Sequence, residues 1–251
     1  MLLEGKNAVV YGGGGSIGGA VARAFAREGA SVFLAGRTRA RLEEVAEKIR
    51  SAGGIAATAE VDALEEQAVD RHADTVAAAA GSIDVSFNLI THPFVHGTPM
   101  AEMELEDFIR PVVTGVRTTF LTSRAAARHM MRQGSGVILA FGGSGDPMRD
   151  YYLGGTQVAF HAIESMRRQL SAELGAHGVR VVTLRTGGVP ESLPEGFDGR
   201  EAIVEGIEGL TMLGRAATLE DVGNVAAFVA SDRARTMTAA TVNISSGALV
   251  D

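Results

Sequence analysis

The sequence contains no cysteine, and this absence excludes several kinds of functional site. Without a thiol, the chain of 251 residues can form no disulfide, no zinc–thiolate site and no cysteine nucleophile. Proline is also scarce, with 6 residues, whereas glycine is frequent, with 32. Hydrophobic residues make up 46% of the chain. This is the composition of an ordinary globular protein, and its length is sufficient for one large α/β domain with an ample core.

Positively charged residues are also fewer than negatively charged ones. Acidic residues outnumber lysine and arginine by 30 to 23, which gives a net charge of −7 and a pI near 5.4. This balance argues against a surface for nucleic acid or for an anionic membrane. The N-terminus lacks the apolar stretch of a signal peptide, and no apolar run approaches the length of a membrane span. We therefore expect a cytoplasmic protein that acts on a small molecule, with neither nucleic acid nor membrane as a partner.

Short β-branched runs alternate with longer helical segments along the whole chain. The predicted strands are 7–12, 31–36, 55–62, 83–90, 136–143, 179–186 and 240–246. The predicted helices are 17–30, 40–54, an alanine-rich helix after the third strand, 104–133, about 156–176 and 219–231. This alternation predicts a Rossmann-type, doubly wound α/β fold, in which helices cover both faces of a parallel sheet of about seven strands. Because no linker or repeat divides the chain, residues 1–251 are predicted to form a single dinucleotide-binding domain.

A glycine-rich stretch, YGGGGSIGG, follows the first strand and opens the first helix. Gly13, Gly15 and Gly18 satisfy the pattern G-x-G-x-x-G in the strand–turn–helix context that makes it informative. The glycines allow a tight turn and a close backbone approach, and the free N–H groups at the start of the helix favour an anion. We therefore expect this stretch to bind the pyrophosphate of a dinucleotide, rather than to be only a flexible turn.

The end of the second strand indicates which dinucleotide is bound. The sequence there is AGRTRAR, so Arg37 and Thr38 stand where an NAD-binding chain would carry a carboxylate for the ribose 2′-hydroxyl. A guanidinium at this position is suited to pairing with a 2′-phosphate. NADP is therefore expected in preference to NAD. The alternative is that Arg37 and Arg39 only form the solvated start of a helix.

These motifs and several later ones resemble the short-chain dehydrogenase/reductase family over nearly the whole chain. The family's glycine motif is T-G-x-x-x-G-x-G, from which this chain departs at Tyr11 and Ser16. The stretches LGRAATLEDVGNVAAFVASDRA and MTAATVNISSGALV are similar to the family's C-terminal helix and closing strand. The resemblance implies a homotetramer or homodimer, with Asp62 beside the adenine. The residues it implies for cofactor binding are Gly12, Gly14, Gly15, Ser16, Ile17, Gly18, Arg37, Thr38, Asp62, Ala63, Asn88, Leu89 and Gly187.

The same resemblance implies four catalytic positions, which the family fills with asparagine, serine, tyrosine and lysine. The tyrosine is the general acid/base, and the lysine four residues later lowers its pKa. Counted from LSAELGAHGVRVV and SRAAARHM, the four positions are Gly115, Gly143, Thr156 and Phe160. No tyrosine in the chain has a lysine four residues on. We therefore expect the standard proton-transfer residues to be replaced, which leaves Tyr152 and Ser144 as weak catalytic candidates. No cluster has metal-ligand spacing, so no metal site is expected.

Three functions stay open at this point. The first is an NADP-dependent oxidoreductase that acts on a small carbonyl, quinone or enone substrate with non-standard proton donation. The second is a catalytically silent family member that serves as a nucleotide sensor or as the partner subunit of an active homologue. The third is a lyase, cyclase or isomerase on the same fold. The first is favoured because hydride transfer needs mainly an oriented nicotinamide, and an activated substrate could take its proton from water.

Overall fold

A seven-stranded parallel sheet forms the centre of the computed structural model, which describes residues 1–90, 95–143, 152–194, 196 and 199–250. The strands lie in the order β3-β2-β1-β4-β5-β6-β7. Their bounds are Asn7–Tyr11 (β1), Ser31–Gly36 (β2), Ile55–Glu60 (β3), Val85–Asn88 (β4), Gly136–Gly142 (β5), Val179–Thr186 (β6) and Ala240–Ile244 (β7). The order reverses at β1, since the chain builds outward to β3 and then returns to β4. These findings confirm the predicted doubly wound fold.

Helices connect the strands and cover both faces of the sheet. Their bounds are Ser16–Arg27 (α1), Arg39–Ser51 (α2), Glu66–Ala80 (α3), Leu105–Gln133 (α4), Gly155–Leu174 (α5), Arg200–Gly209 (α6) and Leu219–Ala230 (α7). The sequence pattern predicted all of these except α6, which follows a stretch interpreted as rich in loops. None of the residues of α6 is buried, and its apolar residues Ile203, Val204 and Ile207 make a pattern too short to identify a helix. Within the described residues, no helix is both long enough and apolar enough to cross a membrane.

Two separate hydrophobic cores lie on the two faces of the sheet. On one face α1, α2 and α7 pack through side chains such as Phe25, Leu42 and Val222. On the other face α3, α4 and α5 pack through side chains such as Val69 and Leu121. The three-layer arrangement leaves the carboxyl ends of the strands open between the two helical layers, where open α/β sheets bind their ligands.

The tyrosine that replaces the threonine of the family's glycine motif belongs to the second core. Tyr11 is the last residue of β1, and its side chain is 2% exposed. Its ring meets that of His72 on α3 edge to face, with ring centroids 5.6 Å apart, and Tyr11 Oη lies 3.3 Å from His72 Nδ1. Burial lowers the pKa of His72 to about 4 and raises the pKa of Tyr11 well above its usual range. Both groups are therefore neutral at pH 7, and the pair is structural.

We predict that His72 makes the protein less stable as the pH falls from about 6.5 towards 4. Across this range the unfolded histidine, with its ordinary pKa of 6.5, takes up a proton that the folded histidine, with a pKa of about 4, does not. Because each pKa unit corresponds to about 1.4 kcal/mol, this group should lower the free energy of unfolding by about 3 kcal/mol. Urea unfolding followed by circular dichroism at pH 7 and pH 4 measures the change.

Two substitutions isolate the contribution of this histidine from those of the carboxylates. Between pH 7 and pH 4 the free energy of unfolding of His72→Phe should fall by about 3 kcal/mol less than that of the wild type, because phenylalanine takes up no proton on unfolding. Tyr11→Phe keeps the histidine and should keep the dependence of the wild type. An identical fall in stability for the wild type and His72→Phe would contradict the prediction.

Candidate functional site

A cleft of about 510 Å³ lies at the carboxyl ends of β1 to β4, between the two helical layers. Its walls come from the turns that follow these four strands, from the first turn of α2 and from one face of α4. The cleft is of the size that holds a cofactor or substrate. Among the residues predicted to bind a cofactor, eight line this cleft: Gly12, Gly14, Gly15, Arg37, Thr38, Asp62, Ala63 and Leu89.

The remaining predicted residues do not line the cleft. Ser16, Ile17 and Gly18 form the first turn of α1, which begins directly after Gly15. Gly187 follows β6, and a Cβ at this position would lie 2.9 Å from the Cβ of Ala248. Gly187 thus allows the chain segments that follow β6 and β7 to approach each other closely, on the far side of the site from the glycine turn.

The turn between β1 and α1 requires glycine at two points. Gly12 has a φ of +77°, in the left-handed region, and a Cβ there would lie 2.5 Å from the carbonyl oxygen of Leu89. A Cβ at Gly18 would collide with the carbonyl oxygen of Gly12. The helix therefore starts against the turn with its free N–H groups towards the cleft, which is the arrangement that binds a pyrophosphate.

Three arginines line the cleft, and they give it a positive charge in an acidic protein. Arg37 follows β2, Arg41 lies in the first turn of α2, and Arg110 lies on α4. The carboxylate among the lining residues is that of Asp62. Sequence reasoning identified Arg37 and missed the other two. The position of Arg41 in the first turn of the helix that follows Arg37 could have indicated it, whereas nothing near Arg110 in the sequence connects it to the glycine turn.

Asn88 supports the wall of the cleft through hydrogen bonds. It is the last residue of β4 and is 7% exposed. Its Nδ2 donates to Thr118 Oγ1 at 3.2 Å and to Thr119 Oγ1 at 3.0 Å, while its Oδ1 accepts from the N–H of Ile90 at 3.1 Å. The amide therefore joins the end of β4 to α4 and fixes the course of the chain beyond the strand, which positions Leu89 in the cleft wall.

Asp62 shapes the turn after β3 in a similar way. Its Oδ1 accepts a hydrogen bond of 3.0 Å from the N–H of Leu64, which closes a short side-chain turn. Asp62, Ala63 and Leu64 all line the cleft. This part of the wall is therefore apolar apart from one carboxylate, and Leu89 and Ile90 from the end of β4 line the same cleft. The ends of β3 and β4 thus give the cleft an apolar part.

At the end of β5, an aromatic ring from α5 covers two glycines. A Cβ at Gly143 would lie 2.7 Å from Cε2 and 3.0 Å from Cδ2 of Phe160, and a Cβ at Gly142 would lie 3.3 Å from Cδ1 of the same ring. Gly143 and Phe160, which sequence reasoning assigned to the family's serine and lysine positions, are therefore direct neighbours. The ring occupies the space that a side chain at position 143 would need.

The other predicted catalytic positions lie on α4 and at the start of α5. Gly115 is buried within α4, where its carbonyl oxygen accepts a hydrogen bond of 3.4 Å from Thr118 Oγ1. Thr156 is 6% exposed, and its Oγ1 is buried with no hydrogen-bond partner among the described residues. Tyr152 precedes α5 with its side chain 44% exposed and with a φ of 46°. The candidate Ser144 lies outside the described residues.

Comparison with known proteins identifies the family. A family model described as enoyl-(acyl carrier protein) reductase matches residues 13–248. The structure of a short-chain type dehydrogenase/reductase from Mycobacterium ulcerans superposes with a TM-score of 0.90 at 26% identity, over 99% of this chain and 91% of that one. The chain belongs to the short-chain dehydrogenase/reductase family. Oxidoreductases of this family use a nicotinamide cofactor, which fits the position of the cleft in this short-chain dehydrogenase/reductase.

Two of its sequence relatives extend over almost the full length of the chain. The short-chain reductase protein NovJ of Streptomyces niveus is 32% identical over 250 residues, covering 96% of this chain and 92% of that protein. The 2,5-dichloro-2,5-cyclohexadiene-1,4-diol dehydrogenase of Sphingobium indicum is 31% identical over 242 residues, covering 94% of each. The resemblance inferred from motifs in the sequence is thus confirmed at the level of the family.

Proposed function

We propose that this short-chain dehydrogenase/reductase is an NADP-dependent oxidoreductase that acts on a small carbonyl, quinone or enone substrate. The observation that carries the proposal is the pair Arg37 and Arg41 in the cleft wall beside the glycine turn. A cofactor whose pyrophosphate lies on the turn brings its adenosine ribose to the end of β2. There the chain offers guanidinium groups, which bind a dianionic 2′-phosphate, and no carboxylate for a free 2′-hydroxyl.

The residues present fit the remaining parts of the cofactor. Gly12 and Gly18 allow the backbone approach that the pyrophosphate needs, since any side chain there would fill the turn. The apolar lining that Ala63 and Leu89 supply, with the carboxylate of Asp62 in the same cleft, suits an adenine ring. When bound, the reduced nicotinamide supplies a hydride, and the protein orients it and excludes water.

We further propose that protons reach the substrate without a tyrosine–lysine pair. A tyrosine phenol, with a pKa of about 10, can be tuned to exchange protons near neutral pH, whereas the hydroxyl of Thr156 ionises far less readily. Phe160 brings no charge to the end of β5, and its contact with Gly143 supports the assignment of both residues to the altered positions. Substrates whose reduced form takes a proton from water, such as quinones and conjugated enones, suit such a site.

NADPH binding followed by turnover tests the proposed function. Titration monitored by nicotinamide fluorescence should give tighter binding of NADPH than of NADH. NADPH oxidation should then be faster with quinones and enones than with unactivated ketones. Failure to bind either nucleotide would reject the cofactor assignment. Tight binding without turnover across the panel would instead favour a silent nucleotide sensor or partner subunit.

Two substitutions test how the proton arrives. Tyr152→Phe and Thr156→Val each remove one hydroxyl near the start of α5 and keep the shape of the side chain. If water supplies the proton, both variants should oxidise NADPH with quinones at rates close to that of the wild type. A large loss of kcat in one variant, with unchanged NADPH binding, would assign that hydroxyl as the donor and reject the solvent route.

We also propose that the chain assembles into a homotetramer or homodimer through α4 and α5. Val113 and Phe120 on α4 are 49% and 46% exposed, and Val158 on α5 is 43% exposed. Apolar side chains exposed on two adjacent helices favour a self-complementary interface. Sedimentation velocity should give a multiple of the chain mass of 26.1 kDa. A monomer at micromolar concentration would reject this assembly.

A further inference from the structure

Arg110 lines the cofactor cleft from the wall opposite the glycine turn. It shares this wall with Thr114 and Thr118, which follow it along α4 at intervals of four residues. Residues spaced by four lie on one face of a helix. The same face of α4 therefore presents a guanidinium at its cleft end and two hydroxyls further along, and the hydroxyl of Thr118 is already engaged by Asn88.

The two helical layers separate Arg110 from the arginines that are suited to the 2′-phosphate. Arg41 is on α2, which packs in the layer with α1 and α7, whereas α4 belongs to the layer with α3 and α5. Arg37 and Arg41 thus approach the cleft from one side of the sheet, and Arg110 approaches it from the other. A ligand that contacts both groups must extend across the carboxyl ends of the strands, as a nucleotide does.

The cleft has an apolar part, which residues from the ends of β3 and β4 supply. Ala63 and Leu64 after β3 and Leu89 and Ile90 after β4 line the same cleft as Arg110. Apolar surfaces of this kind accommodate the faces of a planar ring. A guanidinium is itself planar, and arginine stacks on aromatic faces in a way that lysine does not.

An ion pair holds the Arg110 side chain at the rim of the cleft. Its Nη2 donates to Asp107 Oδ1 at 2.6 Å, one helical turn earlier on α4. Both side chains are partly exposed, at 44% and 35%. The pair contributes little to stability at such exposure. It does restrict the motion of the guanidinium, so less side-chain entropy is lost when Arg110 covers a ligand.

We propose that Arg110 is a nucleotide-binding residue and that its guanidinium stacks on the adenine ring in the apolar part of the cleft. This inference rests on the proposed binding of NADP. The arginine side chain then forms a cover over the adenine, with Asp107 as its anchor, while Arg37 and Arg41 bind the phosphate on the opposite wall.

Calorimetric titration with NADPH and NADH tests the proposal in the full-length protein. Arg110→Ala should lower the affinity for both nucleotides by the same factor, roughly 5- to 30-fold, which spans contacts between a cation and an aromatic ring from exposed to desolvated. Arg110→Lys keeps the charge but not the planar group and should recover little of this loss. Arg71→Ala is the control, since Arg71 is an exposed arginine on α3 that lies neither at the cleft nor on the proposed interface.

Each alternative outcome overturns the proposal in a distinct way. A loss confined to NADPH would assign Arg110 to the 2′-phosphate, and full recovery by Arg110→Lys would assign it to an ionic contact with a phosphate. Unchanged affinity in Arg110→Ala would remove it from the site, while the proposed function would stand on wild-type binding. If the wild-type protein bound neither nucleotide, the proposed function and the adenine contact would both fail.

Discussion

Arg37→Asp is expected to reverse the cofactor preference of the protein. The substitution removes a charged partner of the proposed 2′-phosphate and introduces a carboxylate that repels it. A hydrogen bond between charged groups contributes about 1.5–3 kcal/mol, so the affinity for NADPH should fall by about 100-fold or more. The new carboxylate can accept a hydrogen bond from the ribose 2′-hydroxyl, so NADH should bind as well as before or better. Fluorescence titration of both nucleotides measures the ratio of their dissociation constants.

Arg39→Asp is the matched control for this experiment. Arg39 is the first residue of α2, is exposed and does not line the cleft, yet the substitution changes the net charge by the same amount. If Arg37 acts through direct contact, Arg39→Asp should change the NADPH affinity by no more than a few-fold, and less at higher salt, because an exposed charge is screened. Equal effects of the two substitutions would reduce the role of Arg37 to general electrostatic attraction. An unchanged preference in Arg37→Asp would show that this residue does not determine the choice of cofactor.

Gly155→Ala is expected to give the largest loss of stability from a single methyl group. Gly155 is the first residue of α5, and a Cβ there would collide with the backbone carbonyl oxygen of Phe108 on α4 and lie 3.3 Å from Cγ of Pro111. A backbone carbonyl cannot rotate away as a side chain can, so the two helices must separate. Overpacking of this kind costs about 1–3 kcal/mol or more. For a chain of this size the melting temperature should fall by roughly 2–12 °C or more.

Gly175→Ala provides the opposite case near the other end of the same helix. Gly175 directly follows α5 with a helical φ of −58°, and a Cβ there would meet no heavy atom within 4 Å. Alanine restricts the unfolded chain more than glycine does, so this variant should be as stable as the wild type or more stable by about 0.5–1 kcal/mol. Differential scanning fluorimetry compares the two variants directly. A Gly155→Ala protein that melts within about two degrees of the wild type would contradict the predicted collision.

The glycine turn could be predicted from the sequence because its requirements are local. Gly12 and Gly18 are close in the chain, and each is needed because of the backbone conformation or of a carbonyl in the same turn. The same holds for Arg37, which comes directly after a recognisable strand. The strands themselves were predictable because their buried β-branched residues stand between helical segments of clear period.

Residues that enter the site through the topology could not be predicted in this way. Arg110 reaches the cleft because α4 begins beside the carboxyl ends of the strands, in the opposite layer from α2, and no spacing in the sequence contains that information. Tyr11 looked like a change in the cofactor motif, yet its side chain points to α3. Adjacent strand residues face opposite sides of the sheet, and Val10 takes the other face.

The contact between Phe160 and Gly143 also constrains the order in which this protein can change. Serine at position 143 would require the Phe160 ring to move, and a smaller residue at position 160 would leave an unfilled space beside the strand. Each single step is therefore unfavourable, although the two together are compatible. A chain that gains a side chain at the end of β5 is therefore expected to change at position 160 as well.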